Sequence, residues 1–343
     1  MCIRDRPAAG LSSRFPGMKP KYLLYDYQHR LMLENAVQPY IDAGYSITIG
    51  VLKEHDEKYN STSFIKHEMG DKVKVVIIPQ ITKGPAETVY QILQLANITE
   101  GEFMVKDCDS FFEHTTKSGN YICTSNVADH EVLNRLRAKS FVISNEQGII
   151  TSIIEKQVVS NKFCVGGYKF ESVADYKKAF ESISQEREVF VSDVISVMLQ
   201  NGHIFVENDS KNYVDVGTSK EWFEYNDKPV IFCDIDGTII KAQSRVGENS
   251  YDKEPIELSK NVSRLLQLQQ KGSTFIFTTS REKETFDITD AMLKKLGFTN
   301  YTLIVGLNNA KRILINDFDI GNPYPRAEAI NIERNSDTLG LYL

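Results

Sequence analysis

Short apolar runs, rich in β-branched and aromatic residues, alternate along the chain with segments whose apolar positions recur at helical spacing. In the first part of the chain the apolar runs predict strands, at 46–52, 73–79, 103–106, 141–144, 149–155 and 165–170. The helical spacing predicts helices, at 86–95, 173–182 and 191–201. Alternation of this kind is typical of an α/β fold with a mostly parallel sheet.

A polar stretch around residues 225–229 interrupts this pattern, and a second α/β series follows it. The second series predicts strands at 230–233, 273–279, 302–305 and 312–316, and helices at 257–271 and 282–296. A chain of 343 residues is long enough to form two cores. We therefore expect an N-terminal domain over 1–226 and a C-terminal domain over 228–343, with the boundary near residue 227.

Composition and charge argue against several classes of partner. The chain carries 46 acidic and 40 basic residues, a net charge of −6, which gives no reason to expect nucleic acid. No apolar run approaches the roughly 18 residues that span a bilayer, and residues 1–6 carry three charges and no apolar signal-peptide core. Five dispersed cysteines without a C-x-x-C pair fit a reducing compartment better than a disulfide framework or a zinc site. We therefore expect a cytoplasmic protein with no membrane partner.

A turn of small residues near the N-terminus is a candidate phosphate site. It spans residues 7–13 and is followed by two cations, Arg14 and Lys21. Small side chains at Ala9 and Gly10 let backbone N–H groups approach a phosphate chain, and the cations would neutralise a triphosphate and its leaving pyrophosphate. Taken alone, such a turn is more often an ordinary loop.

The complete string is more specific, because A-A-G-L-S-S-R at 8–14 followed by P-K-Y-L at 20–23 resembles the signature of the sugar-phosphate nucleotidyltransferases. Further segments resemble that family in the expected order over about residues 7–226. They correspond to its base-contacting and glycine-rich segment, its first metal aspartate, its sugar-contacting E-K-P turn, its G-x-Y strand and its second metal aspartate: Gln80 with Gly84, Asp109, Glu155-Lys156, Gly167 and Asp215. Gln157 stands where the turn usually has proline. The resemblance implies a Rossmann-like, GT-A-like fold for the N-terminal domain.

The resemblance also implies a reaction, the transfer of a nucleotidyl group from a nucleoside triphosphate (NTP) to a sugar or polyol phosphate. Mg²⁺ held between Asp109 and Asp215 would offset the repulsion between the two anionic reactants. Arg14 would hold the β- and γ-phosphates, and Lys21 would stabilise the transition state. Gln80 suits the edge of a pyrimidine, which favours CTP, dTTP or UTP.

Members of that family have a buried strand before the phosphate loop. Residues 1–6 carry three charges and form too short a segment for such a strand. We therefore expect that they do not form it, and that the first strand is truncated or non-native. A sheet without this strand would leave its neighbours unpaired and the loop poorly anchored.

In the C-terminal domain, the string D-I-D-G-T at 234–238 follows an apolar run and resembles motif one of the haloacid dehalogenase (HAD) phosphatases. Its first carboxylate, Asp234, can act as nucleophile and its second, Asp236, as general acid and base. Thr279, Lys311 and Asp317 resemble the motif-two hydroxyl, the motif-three lysine and the last Mg²⁺ ligand. The resemblance implies a HAD-like Rossmannoid domain with Mg²⁺ at Asp234, Asp236 and Asp317.

Between Asp234 and Thr279 lie 44 residues, of which the predicted helix takes 15. The remainder is too short for an inserted cap domain, so we expect no large cap and an open site.

The leading interpretation is a bifunctional enzyme of capsular or surface-polysaccharide precursor synthesis, a nucleotidyltransferase joined to a HAD phosphatase. One alternative is a metal-dependent glycosyltransferase, which also uses a D-x-D string after a strand, like Asp107-Cys108-Asp109 in this chain. Arg14 with Lys21 disfavours it, because glycosyl transfer needs no triphosphate clamp. Another is a HAD phosphatase with a non-catalytic nucleotide-binding module. The sugar or polyol, the order of the two reactions and homo-oligomer formation stay open.

Overall fold

A computed structural model describes residues 2–4, 14–130, 136–184, 186–242, 254–316 and 327–343. The chain separates into two units, Met1–Asn226 and Asp227–Leu343. Three of the predicted site residues, Ala9, Gly10 and Asp317, lie outside the described residues. Within the described parts, no helix is long and apolar enough to cross a membrane.

The first unit is built around a mixed sheet. Its described strands, in chain order, are β1 Cys2–Arg4, β2 Ile47–Leu52, β3 Val73–Ile78, β4 Phe103–Asp107, β5 Ser110–Glu113, β6 Asn120–Asn126, β7 Ser140–Ser144, β8 Ile150–Glu155, β9 Lys162–Phe170, β10 Phe205–Asp209 and β11 Lys211–Asp215. The main sheet has the order β10-β6-β9-β4-β1-β2-β3, with β7 paired to β8 and β9, while β5 and β11 form a separate ribbon.

Strand direction changes in the middle of this sheet. Strands β4, β1, β2 and β3 are parallel to one another, whereas β9 runs antiparallel to both β4 and β6. Among the described strands, the prediction of a mostly parallel sheet therefore holds from β4 to β3 and for the β6–β10 pair, but not for the pairings of β7 and β9. A pattern of apolar runs reports that strands exist, but their relative direction depends on how the connections cross the sheet.

The short strand β1 corrects one prediction. Residues Cys2–Arg4 pair in parallel with β2 on one side and with β4 on the other, with Ile3 opposite Ile49 and Lys106. The prediction that residues 1–6 form no strand is therefore wrong. The composition of these residues is a poor guide because a slot between two strands supplies backbone hydrogen bonds on both sides, whatever the side chains are.

Helices cover the sheet and bury its two faces. In the described part of the first unit they are α1 Met32–Asp42, α2 Lys53–Tyr59, α3 Ser61–Met69, α4 Pro85–Leu95, α5 Val173–Glu181, α6 Val191–Gln200 and α7 Ser219–Asn226. Alternate residues of β4 enter different cores: Phe103 and Val105 pack with α4, α5 and α6, and Met104 packs with α1 and α3. This alternation follows from the two-residue repeat of a strand.

The second unit contains a three-stranded parallel sheet. Its described elements are β12 Val230–Asp234, α8 Ser259–Gln270, β13 Thr274–Thr278, α9 Phe286–Lys295 and β14 Tyr301–Ile304, and the strand order is β12-β13-β14. The core of this unit is formed by side chains such as Ile235, Leu265, Phe277 and Leu293.

The predicted strand at 312–316 is wrong. These residues are exposed and form no strand, and Ile313 and Ile315 are 73% and 90% exposed. The Arg312 side chain donates hydrogen bonds to the carbonyls of Asn308 and Ala310, which holds the preceding segment in a turn. An apolar, β-branched run has the propensity for a strand, but a strand also needs a partner edge, and propensity alone does not provide one.

Candidate active site

The two predicted metal-binding aspartates of the first unit lie next to each other. Asp109 immediately precedes β5 and Asp215 ends β11, and the antiparallel pairing of these strands places Asp215 opposite Ser110. The backbone N–H of Val216 donates to the carbonyl of Asp109 at 3.0 Å, which closes the ribbon at this end. Both aspartates line one pocket, together with Arg14, Asp107, Ser110, Ala138, Lys139, Ser140, Cys164, Val165, Gly166, Tyr168 and Tyr213.

Both cations of the predicted phosphate site converge on Asp109. The Lys21 ammonium donates to Asp109 Oδ2 at 3.0 Å, and an Arg14 guanidinium nitrogen is 3.8 Å from the same oxygen. Lys21 is only 1% exposed, and a buried ammonium is stable only with such a partner. The backbone of Arg14 contacts the start of α7, because its carbonyl accepts a hydrogen bond from the backbone N–H of Ser219. The structure thus brings Arg14, Lys21 and Asp109 together.

Asp215 is paired with a lysine that the sequence analysis did not single out. The buried Lys139 ammonium donates to Asp215 Oδ2 at 2.7 Å and to the Tyr213 hydroxyl at 2.6 Å. The backbone N–H of Gly217 donates to the other oxygen, Oδ1, at 3.0 Å. Lys139 lies between a 3-10 turn and β7 and belongs to no motif, so the sequence carries no signal that separates it from a surface lysine.

A second overlooked lysine supports the turn that carries Asp109. Lys106 is in β4 and 1% exposed, and its ammonium donates to the carbonyl of Asp107 at 2.7 Å, to the Ser110 hydroxyl at 3.1 Å and to the Ser110 carbonyl. Burial lowers the pKa of Lys106 to about 8. Because its acceptors lie on both sides of Asp109, this lysine fixes the turn. Its signal in the sequence is a charge at the end of an apolar strand.

Two adjacent glycines in β9 have different surroundings. Gly166 lines the pocket and has a φ of +87°, and a Cβ there would be 2.7 Å from Asp107 Oδ2. At Gly167 a Cβ would be 2.7 Å from the Phe112 ring and 3.0 Å from Cys123 Sγ. The structure therefore places the predicted substrate residue Gly167 in a close-packed core, and its neighbour Gly166 beside the pocket.

The remaining predicted substrate residues are described, and none of them lines this pocket. Gln80 is exposed, and Gly84 precedes α4, where a Cβ would be 2.6 Å from the Val189 carbonyl. Glu155 accepts hydrogen bonds from the hydroxyls of Ser140 and Ser192. Lys156 has its ammonium 4.3 Å from the centre of the Phe190 ring.

In the second unit, two predicted residues lie at the ends of adjacent parallel strands. Asp234 ends β12 and Thr279 follows β13 directly, so both lie at the carboxyl edge of the sheet. Arg281 binds the Asp236 carboxylate in a two-point contact, Nε to Oδ2 at 2.9 Å and a terminal nitrogen to Oδ1 at 2.8 Å. The Thr279 hydroxyl donates to the same carboxylate at 3.3 Å.

Asp234 lies in a less favourable electrostatic environment. Burial and then the nearby charge of Asp236 raise the pKa of Asp234 above its ordinary value, and the Thr238 hydroxyl donates to it at 3.3 Å. Lys311 is exposed and makes no ion pair with either aspartate within the described residues. The structure therefore brings together Asp234, Asp236 and Thr279 but not Lys311.

Two carboxylates of the first unit could serve as ligands of a Mg²⁺ ion. Mg²⁺ usually takes one or two protein carboxylates and completes its shell with water and substrate phosphates. Asp109 and Asp215 supply two in one pocket. In the part of the chain that is described, no group of three or more His, Cys, Asp or Glu side chains could hold a metal.

No family profile and no curated protein matches this chain. Solved structures do match it. The nucleoside-diphosphate-sugar pyrophosphorylase from Vibrio cholerae RC9 is 19% identical, with a TM-score of 0.55, over 65% of this chain and 98% of that one. The inositol-1-phosphate CTP transferase from T. maritima is 15% identical, with a TM-score of 0.51, over 64% of this chain and 89% of that one. A Bacillus anthracis protein assigned as a glucose-1-phosphate thymidylyltransferase is 17% identical, with a TM-score of 0.53, over 66% of this chain and 92% of that one.

About 65% of the chain has a nucleotidyltransferase fold. That share corresponds to the length of the first unit, 226 of 343 residues. At these identities the likeness establishes the fold. The predicted Rossmann-like nucleotidyltransferase fold is thereby confirmed for this part of the chain.

Proposed function

We propose that the first unit transfers a nucleotidyl group from an NTP to a sugar or polyol phosphate. The observation that carries this proposal is the pocket in which Asp109 and Asp215 lie beside Arg14, with Lys21 bonded to Asp109. The reaction joins two anions and releases a third, so its site needs both cations and carboxylates that can hold a metal ion.

The proposed roles follow from charge. An oxygen of the acceptor phosphate attacks the α-phosphorus of the NTP, the bond to the bridging oxygen breaks, and pyrophosphate leaves. Arg14 binds the β- and γ-phosphates, and Lys21 stabilises the charge that accumulates on the α-phosphate in the transition state. Mg²⁺ bound by Asp109 and Asp215 would supply further positive charge at the phosphates.

The substrate classes in this proposal rest on the sequence resemblance and on what the structural neighbours act on. Two of those neighbours are described as a CTP transferase and a thymidylyltransferase, and their acceptors are inositol 1-phosphate and glucose 1-phosphate. We propose a pyrimidine NTP, with Gln80 at the base and the backbone of Ala9 and Gly10 at the phosphates. From the resemblance alone we also propose Gly84, Glu155, Lys156 and Gly167 as substrate-site residues, although none of them lines the pocket.

A substrate panel tests this function. CTP, dTTP, UTP, ATP and GTP are each combined with sugar 1-phosphates and polyol phosphates, and pyrophosphate release is measured in the Asp234→Asn chain, so that hydrolysis by the second unit does not consume the acceptor. Pyrophosphate release that requires one NTP and one acceptor supports the proposal. Release of a nucleoside diphosphate from a nucleotide sugar would favour a glycosyltransferase, and nucleotide affinity without turnover would favour a binding module.

For the second unit we propose Mg²⁺-dependent hydrolysis of a phosphate monoester. The supporting observation is the position of Asp234 and Thr279 at neighbouring strand ends, with Asp236 within hydrogen-bond distance of Thr279. An Asp234 oxygen attacks phosphorus while Asp236 protonates the leaving alcohol, and Asp236 then activates the water that cleaves the aspartyl-phosphate. From the resemblance we propose Asp317 as a metal ligand with Asp234 and Asp236, and Lys311 as a phosphate-neutralising cation.

The whole chain would then supply an activated sugar or polyol for surface-polysaccharide synthesis. Hydrolysis of p-nitrophenyl phosphate with and without Mg²⁺ tests the second activity. Mg²⁺-dependent phosphate release supports it, and the absence of release at any Mg²⁺ concentration contradicts it.

A further inference from the structure

Lys139 leaves part of its hydrogen-bonding capacity unused. An ammonium group has three donor hydrogens. Asp215 and Tyr213 accept two of them, and within the described residues no further acceptor lies within hydrogen-bond distance. The side chain is only 8% exposed, yet the residue lines the pocket. A buried ammonium with an unused donor beside a pocket is a site for an anionic ligand.

The surroundings of Lys139 strengthen its attraction for an anion. The Tyr213 and Phe163 ring centres are 5.0 Å and 5.5 Å from its ammonium nitrogen. Such apolar cover lowers the local dielectric constant, which strengthens charge-assisted hydrogen bonds. The pocket lining also includes three carboxylates, Asp107, Asp109 and Asp215. An incoming phosphate would meet these negative charges, so a cation on this side of the pocket is needed to admit it.

The backbone of Lys139 connects the pocket to the turn that the resemblance assigns to the sugar. The carbonyl of Lys139 accepts from the backbone N–H of Lys156 at 3.0 Å, and the next residue, Ser140, lies opposite Glu155 in the β7–β8 ladder. Lys139 therefore lies between the sugar-contacting turn and Asp215. In a sugar phosphate, the phosphate group occupies the corresponding position between the sugar and the metal.

The two other candidate cations are already engaged elsewhere. The ammonium of Lys156 faces the Phe190 ring at 4.3 Å, and this residue does not line the pocket. Arg14 lies on the Asp109 side and directly follows the small-residue turn proposed for the NTP phosphates. Lys139 is thus the cation on the acceptor side.

We propose that Lys139 binds the phosphate group of the acceptor and holds it beside Asp215, in a role that rests on the proposed nucleotidyl transfer. The third ammonium hydrogen donates to a phosphate oxygen, and the bonds to Asp215 and Tyr213 fix the direction of the side chain. Lys139 is then a determinant of affinity for phosphorylated acceptors over neutral sugars.

The first test compares Lys139→Met with Lys162→Met. Lys162 is a matched control, because its ammonium also pairs with a carboxylate, Asp209 at 2.5 Å, and it does not line the pocket. With the acceptor that the panel identifies, Lys139→Met is expected to raise the KM of the acceptor roughly tenfold to a hundredfold and that of the NTP by less than about threefold. Lys162→Met should change neither. Lys139→Arg, which keeps the charge, should recover part of the acceptor affinity.

Equal increases in both KM values, or a loss confined to kcat, would overturn the proposal. Thermal melting shows whether Lys139→Met folds. If it does not fold, Lys139→Gln, whose amide can still donate to Asp215, is tested in its place, and the same changes in KM are expected.

The second test does not need turnover. Calorimetry measures the binding of inorganic phosphate to the Asp234→Asn chain with and without Lys139→Met, and Lys162→Met in the same background is the control. A rise in the phosphate Kd of about tenfold or more, specific to Lys139, supports the proposal. Unchanged phosphate affinity overturns it. If no substrate pair releases pyrophosphate but phosphate binding depends on Lys139, then the proposed transfer fails and the phosphate site stands.

Discussion

In the first unit each candidate metal-binding aspartate is paired with a buried lysine from a distant part of the chain, whereas among the described residues of the second unit an ion pair reaches Asp236 and none reaches Asp234. Lys21 reaches Asp109 across 88 residues and Lys139 reaches Asp215 across 76. In the second unit Arg281 binds Asp236 at two points, and within the described residues Asp234 forms no ion pair.

The difference originates in the strands that carry the carboxylates. Asp109 and Asp215 are joined by the β5–β11 ribbon, and the buried Lys106 ammonium donates hydrogen bonds to both ends of the turn between β4 and β5. Asp234 lies at the end of β12, an outer strand of the described sheet on which Phe232 is 51% exposed. A site enclosed by tertiary contacts is preorganised before a ligand arrives, and a site on an outer strand is less so.

The largest expected effect is on the second unit. Asp234→Asn should lower p-nitrophenyl phosphate hydrolysis by about 10⁴-fold or more, because it removes the proposed nucleophile. Nucleotidyl transfer should be unchanged, since the two sites belong to different units. Asp287→Asn, at an exposed position on α9, is the control. Retained hydrolysis in Asp234→Asn would show that this carboxylate is not the nucleophile.

The next largest effect is expected in the first unit, where substitutions should lower nucleotidyl transfer but not phosphate hydrolysis. Asp109→Asn and Asp215→Asn should each lower pyrophosphate release by about 10²–10³-fold and leave phosphate hydrolysis intact, because each removes a proposed metal ligand from the first unit only. Asp71→Asn, which is exposed, should change neither rate. Wild-type transfer in either pocket variant would remove the proposed metal site.

Lys21→Met should affect both turnover and stability. It removes the ammonium that lies 3.0 Å from the Asp109 carboxylate, which is 8% exposed, and breaking such a buried pair costs about 3–5 kcal/mol. We also expect kcat to fall far more than NTP affinity, because the charge acts mainly in the transition state. Urea unfolding and steady-state kinetics check these results. Lys53→Met removes an exposed lysine–glutamate pair and should cost less than about 0.5 kcal/mol. A loss of NTP affinity without a loss of kcat would assign Lys21 to ground-state binding.

Arg281→Met should destabilise the second unit less. It removes a two-point contact to a carboxylate that is 30% exposed, so the expected cost is about 1.5–3 kcal/mol. Unfolding is followed by hydrogen exchange of β12 and β13. Arg264→Met on α8, whose guanidinium donates to the carbonyl of Leu343, is the comparison variant in the same unit. A cost above that of Lys21→Met would contradict the view that the first site is the more enclosed.

The smallest effect concerns the acid stability of the first unit and rests on His114. Burial, and then Lys106, lower the pKa of His114 from its ordinary value of 6.5 to about 4. Between these values the unfolded chain binds a proton that the folded chain does not, so stability falls as the pH drops through this range. His114→Gln should flatten that part of the profile in urea unfolding at stepped pH, and the exposed His67→Gln should not. Parallel profiles for wild type and His114→Gln would contradict this assignment.

Local pattern predicted much of the first unit. The apolar runs at 73–79 and 103–106 correspond to β3 and β4, and the helical spacing at 86–95 corresponds to α4. Short apolar runs are typical of buried strands, and apolar residues at helical spacing are typical of a helix packed on one face. The resemblance to the nucleotidyltransferases also predicted that Asp109 and Asp215 would lie together, and both line one pocket.

By itself, therefore, the sequence determined where six of the eleven described strands and three of the seven described helices of the first unit lie. It also singled out Asp109 and Asp215, two of the three carboxylates that line the pocket. Tertiary structure alone decided that Cys2–Arg4 completes the sheet, that 312–316 forms no strand, and that Lys106 and Lys139 are buried beside the pocket. The physical reason is the range of the interactions. Side-chain periodicity acts over a few residues, whereas strand pairing, burial and the partner of a charge depend on segments far apart in the chain.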